Sequence, residues 1–199
     1  MKVETFKGGY DRNFSYLIYD ETSKMAYVID PLKDTEQYYE KAKELKLYIM
    51  GILNTHGHFD HTEGNASFKD KGIPLVDSTI NEIALGNQKI TIIKTPGHTQ
   101  DSVCFYTNGK LFSGDTLFVG KIGGTESEGA AGIQFASLQK LMELPDETIV
   151  YPGHDLGVTQ TSTIGHEKKT NPFLLRDNIK DFIWLKNNWA QFKKENNIQ

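Results

Sequence analysis

The chain has one cysteine, Cys104, among its 199 residues. That excludes an internal disulfide, and it excludes a thiolate cluster as the anchor for a metal ion. Cys104 lies in the strand-like run Ser102-Val103-Cys104-Phe105-Tyr106 and is expected simply to be buried. Also missing is any apolar stretch long enough to cross a bilayer, and Met1 to Phe6 does not lead into a cleavable apolar signal. A cytoplasmic protein with no membrane contact is the expectation. Lysine and arginine form no basic stripe ahead of the last helix, and the net charge is −4, so the electrostatic footprint of nucleic-acid binding is absent. The expected partner is a small molecule. Oligomeric state is left open.

Histidine is scarce too, but its placement is uneven. Five of the six histidines fall in motifs of one style, beginning with Thr55-His56-Gly57-His58-Phe59-Asp60-His61. Imidazole and carboxylate are the usual donors for zinc and iron. In an extended segment His56 and His58 project to one side and can grip one ion. Asp60 and His61 are adjacent, so they can share a second ion only if the chain turns into a helix there. The motif reads as half of a two-metal site.

Local patterns supply a frame for it. Residues 3–6, 14–19 and 25–29 read as an antiparallel meander whose third strand ends at Asp30-Pro31. Asp30 is either a turn residue or a carboxylate that supports metal ligands from behind. Asp34 to Lys46 has helical spacing, and Leu47 to Leu53 is a strand that delivers His56. Thr62 to Lys71 begins as a helix, Pro74 to Val76 adds a short strand, and Asn81 to Leu85 is ambiguous. Lys89 to Lys94 runs into Thr95-Pro96-Gly97-His98, and Thr148 to Val150 runs into Tyr151-Pro152-Gly153-His154. In each corner Pro ends the ladder and Gly allows a turn closed to other residues, which leaves a histidine at the strand's end. Between the two corners Asp115 follows another short strand.

Gly120 to Gly132 is glycine-rich without the phosphate-loop pattern, and a mobile loop bordering a pocket is expected there. Gln134 to Leu144 is an amphipathic helix, and hydroxyl caps at Thr161 to Thr163 precede a short helix ended by Asn171-Pro172. His166, outside every motif, reads as structural or exposed. Residues 1–199 are expected to form a single domain closed by a C-terminal helix over about residues 173–195.

The series Asp30, His56, His58, Asp60, His61, His98, Asp115 and His154, in this order and at strand ends, resembles the metallo-β-lactamase superfamily. Gly114-Asp115-Thr116-Leu117-Phe118 and Tyr151-Pro152-Gly153-His154 are similar to its glyoxalase II and persulfide dioxygenase branch. The resemblance implies an α/β fold, a four-layer αββα sandwich of two mixed β-sheets flanked by helices. It also implies that His56, His58 and His98 hold one metal, that Asp60, His61 and His154 hold another, and that Asp115 bridges them. The cofactors would be two divalent metal ions, zinc first, with iron or manganese as alternatives. Asp60 and Asp115 would be the catalytic carboxylates. The implied activity is hydrolysis of a small acyl thioester or ester by hydroxide held between the metals.

Two other readings stay open at this level. One is a persulfide dioxygenase with a single iron on His56, His98 and Asp115, an arrangement that leaves positions for oxygen and a sulfur substrate. The other is a metal-stabilised binding module without turnover. The chain also departs from glyoxalase II where that enzyme grips glutathione. Gly123-Gly124-Thr125-Glu126 and Leu156 stand where a basic and two aromatic residues are common, and no long helical domain follows Pro172.

Overall fold

A computed structural model describes residues 1–198. The first sheet has the order β1 (Lys2–Gly8), β2 (Asn13–Tyr19), β3 (Met25–Ile29), β4 (Tyr48–Leu53). β1 to β3 form the expected antiparallel meander, and β4 joins β3 in parallel. A parallel neighbour needs a crossover, which α1 (Glu36–Leu45) provides. Pro74 to Val76 continues this sheet only through an isolated bridge from Leu75 to Ile52.

The second sheet has the order β10 (Ser162–Thr163), β9 (Ile149–Pro152), β8 (Lys110–Gly114), β7 (Val103–Thr107), β6 (Gln88–Lys94), β5 (Glu82–Leu85). It too is mixed, since β8 and β9 run parallel. The ambiguous stretch before Gly86 is therefore a strand, β5, and it is fixed by pairing with β6.

Three apolar clusters define the layers. Phe14, Tyr16, Ile18 and Ile29 of the first sheet meet Ile90, Phe105 and Phe112 of the second. Behind the first sheet Leu17 and Val28 pack on Tyr38 and on Phe68 of α3 (Asn65–Asp70). Behind the second sheet Cys104, Leu111 and Val150 pack on Leu138, Ile164 and Phe182. These last three lie on α4 (Glu128–Met142), α5 (Ile164–Thr170) and α6 (Ile179–Asn187). Helices thus cover both outer faces of two stacked mixed sheets, the αββα order that was expected. Cys104 is fully buried and His166 is exposed. Among the described residues no helix is long and apolar enough to cross a membrane.

Two helix boundaries differ from the sequence expectation. The glycine-rich segment is loop only as far as Ser127, where that side chain accepts from Ala130 N and starts α4 six residues ahead of Gln134. Gly129 and Gly132 are poor helix formers, but Gly132 lies under Ile179, where α6 packs on α4. The C-terminal segment is two helices rather than one, α6 and α7 (Trp189–Glu195). The break is at Asn188, whose side-chain amide takes the Trp184 carbonyl at 2.8 Å in competition with the helical ladder.

Candidate metal centre

Seven of the eight residues of the motif series, all but Asp30, come together at one edge of the stacked sheets, carried by the turns and the one short helix that follow strand ends. β4 ends at Leu53, and three residues later His56 leaves the sheet. The chain then turns into α2 (Phe59–Thr62), so Asp60 and His61 stand on one short helix. This is the condition under which those neighbours can face a common point. Their near atoms, Asp60 Oδ2 and His61 Nε2, are 3.6 Å apart.

The two Pro-Gly-His corners use glycine for different reasons. Gly97 has φ +141°, a conformation that side chains resist. Gly153 has no positive φ; a Cβ there would run into Asp115 Oδ1 and lie 2.9 Å from His61 Cε1. The first corner needs a turn as well as space, since a Cβ at Gly97 would also run into Gln134, and the second needs space alone.

Three groups have their ligand-type atoms within 4.8 Å of one another: the triads His56, His58, His98 and Asp60, His61, His154, and a third, His56, His61, Asp115, that links them. Asp115 lies between them, with Oδ1 3.4 Å from His61 Nε2 and Oδ2 3.3 Å from His154 Nε2 and 3.5 Å from His98 Nε2.

Hydrogen bonds on the far side of the rings fix which nitrogens face inward. His98 Nδ1 lies 2.8 Å from Gly124 O, and His154 Nδ1 lies 2.8 Å from Asp11 O. A carbonyl only accepts, so both Nδ1 atoms carry hydrogen. His61 Nδ1 donates likewise to Asp30 Oδ2 at 2.9 Å. Thr55 Oγ1 gives its hydrogen to Asp30 Oδ2, leaving its oxygen to accept from His56 Nδ1 at 3.1 Å. In the neutral form of each ring, these bonds leave the Nε2 lone pairs of His56, His61, His98 and His154 aimed at one space.

Those lone pairs crowd each other. His61 Nε2 and His154 Nε2 are 3.1 Å apart, and His58 Nδ1 is 2.9 Å from His56 Nε2 and 3.1 Å from His98 Nε2. Hydrogen on His58 Nδ1 could serve only one of these contacts. Asp115 Oδ1 is buried with no hydrogen-bond partner among the described residues. Converging lone pairs and an unpartnered carboxylate oxygen are costly unless a cation sits between them. The donor set, nitrogen and oxygen without sulfur, suits divalent zinc, iron or manganese.

Electrostatics divide the two triads. Burial, helped by His61, pushes His56 down to about 4, and burial also lowers His98 despite its bond to Gly124. Burial acts against charge on His61 as well, but Asp30, Asp115 and Asp60 outweigh it and raise the ring to about 9. His154 is raised in the same way by Asp115. Burial opposes ionisation of Asp115, yet His154, His61 and His56 hold it down to about 2.

Asp30 is nearly inaccessible and accepts from Thr55 N, Thr55 Oγ1 and His61 Nδ1 at 2.7, 2.6 and 2.9 Å. It therefore holds His61 directly and His56 through Thr55. No sequence signal pointed to Asn13, whose amide holds Asp60 Oδ2 at 2.8 Å, or to the Asp11 and Gly124 carbonyls. A side-chain amide at the start of β2 carries no motif, and carbonyl acceptors are invisible in residue type.

Comparison with known proteins bears on what such a centre is. The model of the metallo-beta-lactamase superfamily matches residues 8–79 and 71–154. The chain is 30% identical over 189 residues to the cytoplasmic isozyme of hydroxyacylglutathione hydrolase from Saccharomyces cerevisiae, covering 78% of this chain and 69% of that protein. It spans about two thirds of the length of several hydrolases of that name. Among solved structures, ETHE1 from Myxococcus xanthus superposes with a TM-score of 0.84 at 28% identity, covering 95% of this chain and 91% of that one. TTHA1623 in a di-iron-bound form gives a TM-score of 0.67 at 28% identity, covering 86% of this chain and 100% of that one.

Proposed function

The chain belongs to the metallo-β-lactamase superfamily, and from that premise we propose that it is a metallo-hydrolase of a small acyl thioester or ester. The observation that carries this reading is the convergence of two ligand triads on one shared carboxylate, with the ring tautomers already set for metal binding. In this reading His56, His58 and His98 hold one divalent cation, Asp60, His61 and His154 hold the other, and Asp115 touches both. His58 would bind through Nδ1 and the other four histidines through Nε2. The cations would supply Lewis acidity that polarises a carbonyl and lowers the pKa of water toward neutrality.

The chain's own groups do the rest. Asp30, Asn13 and the carbonyls of Asp11 and Gly124 hold the ligands in place, so little reorganisation is needed when charge develops on a substrate oxygen. Asp60, a quarter exposed on its side chain, is the more accessible of the two carboxylates facing the centre. Burial raises its proton affinity, but Asn13 and the nearby rings of His61 and His154 bring it below the ordinary carboxylate range. It is thereby kept ionised, the state in which it would serve as a ligand. The structural likeness to a di-iron protein supports two metals, with zinc, iron and manganese to be distinguished by analysis. We place the protein in the cytoplasm as one domain, acting on a small molecule.

Metal analysis and a thioesterase assay starting with S-lactoylglutathione test this. Turnover on that or another thioester with about two metals per chain is expected. If the metal-loaded protein cleaved no member of a thioester, ester and lactone panel, the reading would fail.

A persulfide dioxygenase is favoured by a different observation. ETHE1 matches nearly the whole length of both chains, whereas several of the hydrolases extend well beyond this one. One iron per chain with oxygen uptake on glutathione persulfide would support that branch, and two zincs without uptake would remove it.

A further inference from the structure

Lys186 on α6 is half-buried and has no carboxylate within 4.0 Å among the described residues. Its ammonium instead donates to Gln134 Oε1 at 2.6 Å and to Gly123 O at 3.0 Å. Burial pushes its pKa down to about 8. Methionine or leucine would pack against α4 without that desolvation cost. What the ammonium holds is therefore the informative feature.

Gly123 is where three lines of contact meet. Its N–H donates to Asp115 O at 3.0 Å, and its carbonyl also accepts from Gln134 Nε2 at 3.1 Å. A Cβ at Gly123 would collide with Asp115 O and lie 3.0 Å from His98 Nδ1. The next residue, Gly124, accepts from His98 Nδ1. Gln134 is fully buried and also lies directly under Gly97, the residue before His98. Both sides of His98 and the main chain of Asp115 thus rest on one clip, which Lys186 closes from outside.

We propose that Lys186 is a positioning residue for the metal centre: by holding the Gly123–Gly124 peptide it aims His98 Nε2 and sets the affinity of the His56, His58, His98 triad for its metal. The inference rests on His98 being a ligand. Lys186 touches neither substrate nor metal, and Gln134 is its partner in the clip. Removing the hydrogen-bonding partner directly behind a metal-binding histidine typically lowers metal affinity about ten- to a hundred-fold, and Lys186, one contact further out, should reach the lower end of that range. The larger loss should fall on one metal, because the second triad takes its outer bonds from Asp30, Asn13 and Asp11 and depends on the clip only through Asp115.

The test compares wild type, Lys186→Met, Lys186→Arg and His98→Ala as full-length protein, with zinc affinities read by chelator competition. Expected for Lys186→Met is an unequal loss, about ten-fold for one zinc and clearly smaller for the other, with the metal-free melting temperature preserved. The Nδ1–H of His98, followed by nitrogen-edited NMR in the zinc-loaded protein, should exchange faster with solvent. Lys186→Arg, which keeps charge and donors, should recover part of both effects. Unchanged zinc affinities and an unchanged His98 exchange rate in Lys186→Met would overturn the proposal, as would equal weakening of both zincs with a lowered melting temperature. If Lys186→Met does not fold, Gln134→Met takes its place, and unchanged zinc affinities and His98 exchange in that variant would overturn the proposal equally. Loss of no zinc in His98→Ala would instead remove the ligand assignment itself.

Discussion

The two triads flank one carboxylate, Asp115, and yet are built differently. Asp60, His61 and His154 are enclosed: His61 is fully buried, His154 nearly so, and each has an outer partner in Asn13, Asp30 or the Asp11 carbonyl. His56, His58 and His98 carry no carboxylate of their own, and His58 is exposed. The enclosed triad draws positive charge before any metal arrives, whereas the open one keeps its buried rings neutral. One pair of metals can thus be held by unequal means, charge and rigidity on one side and bare imidazole lone pairs on the other. An unequal pair should release its metals separately.

The group that belongs to both triads should abolish their inequality when it is changed, with the greatest loss of function. Asp115→Asn removes negative charge between two cations, and both metals should weaken, with turnover falling by more than about a hundred-fold. Asp60→Asn should loosen only one. Metal content per chain beside the rate on the active substrate measures the difference. Two tightly held metals and near-normal turnover in Asp115→Asn would contradict the bridging role.

A lesser effect isolates the enclosed triad. Asp30 sits at φ +49°, which asparagine tolerates, so Asp30→Asn keeps the turn. It loses the charge, however, and opposes an amide donor to the donors of Thr55 or His61. A destabilisation of about 3 kcal/mol is expected for removing one partner of a buried charged bond, seen in denaturant melts of the metal-free protein. A smaller change belongs to the open triad. His58→Ala should cost one metal about ten- to a hundred-fold in affinity while leaving the metal-free melting temperature within a degree or so, since surface substitutions stay within about 0.5 kcal/mol. A matching loss of stability would show that His58 supports the fold.

Least in size is a slope with pH. A folded pKa of about 9 for His61 lies above its ordinary 6.5. Its contribution is therefore complete below about 6.5 and lost as pH rises through about 9. Metal-free protein in chelator should melt progressively lower from pH 7 to 9.5, and His61→Gln should flatten that trend. Metal affinity should run the other way over the same range, because binding requires the ring to give up its proton. Melts that stay level in wild type would show that the carboxylates around His61 do not charge it.

Much of the centre could be read in the chain. His56, His98, Asp115 and His154 each stand shortly after a strand-like run, and a strand's end is recognisable from alternating apolar residues closed by proline or glycine. The Asp60-His61 pair could be placed only conditionally, since sequence spacing lets either one or both face a common point; the turn of α2 brings both to it. Glycine misled at Gly129 and Gly132, where local propensity argued against helix and the packing of α6 over α4 prevailed. The division of the C-terminal segment at Asn188 was missed because its apolar spacing runs on across a break made by a side-chain amide.

The donor chemistry and its order were thus already written in the chain: imidazole and carboxylate without thiolate, delivered at strand ends in a pattern that belongs to one superfamily. Such information is local, because spacing within a few residues dictates which side chains share a face. How the donors are presented was settled by the folded arrangement alone. The bonds that set ring tautomers and aim the lone pairs join residues far apart: Asn13 to Asp60, Asp11 to His154, Lys186 to Gly123, at separations of 47, 143 and 63 positions. Several of them end on backbone carbonyls, which every residue possesses, so only the packing of the sheets and of α6 selects the carbonyl that serves.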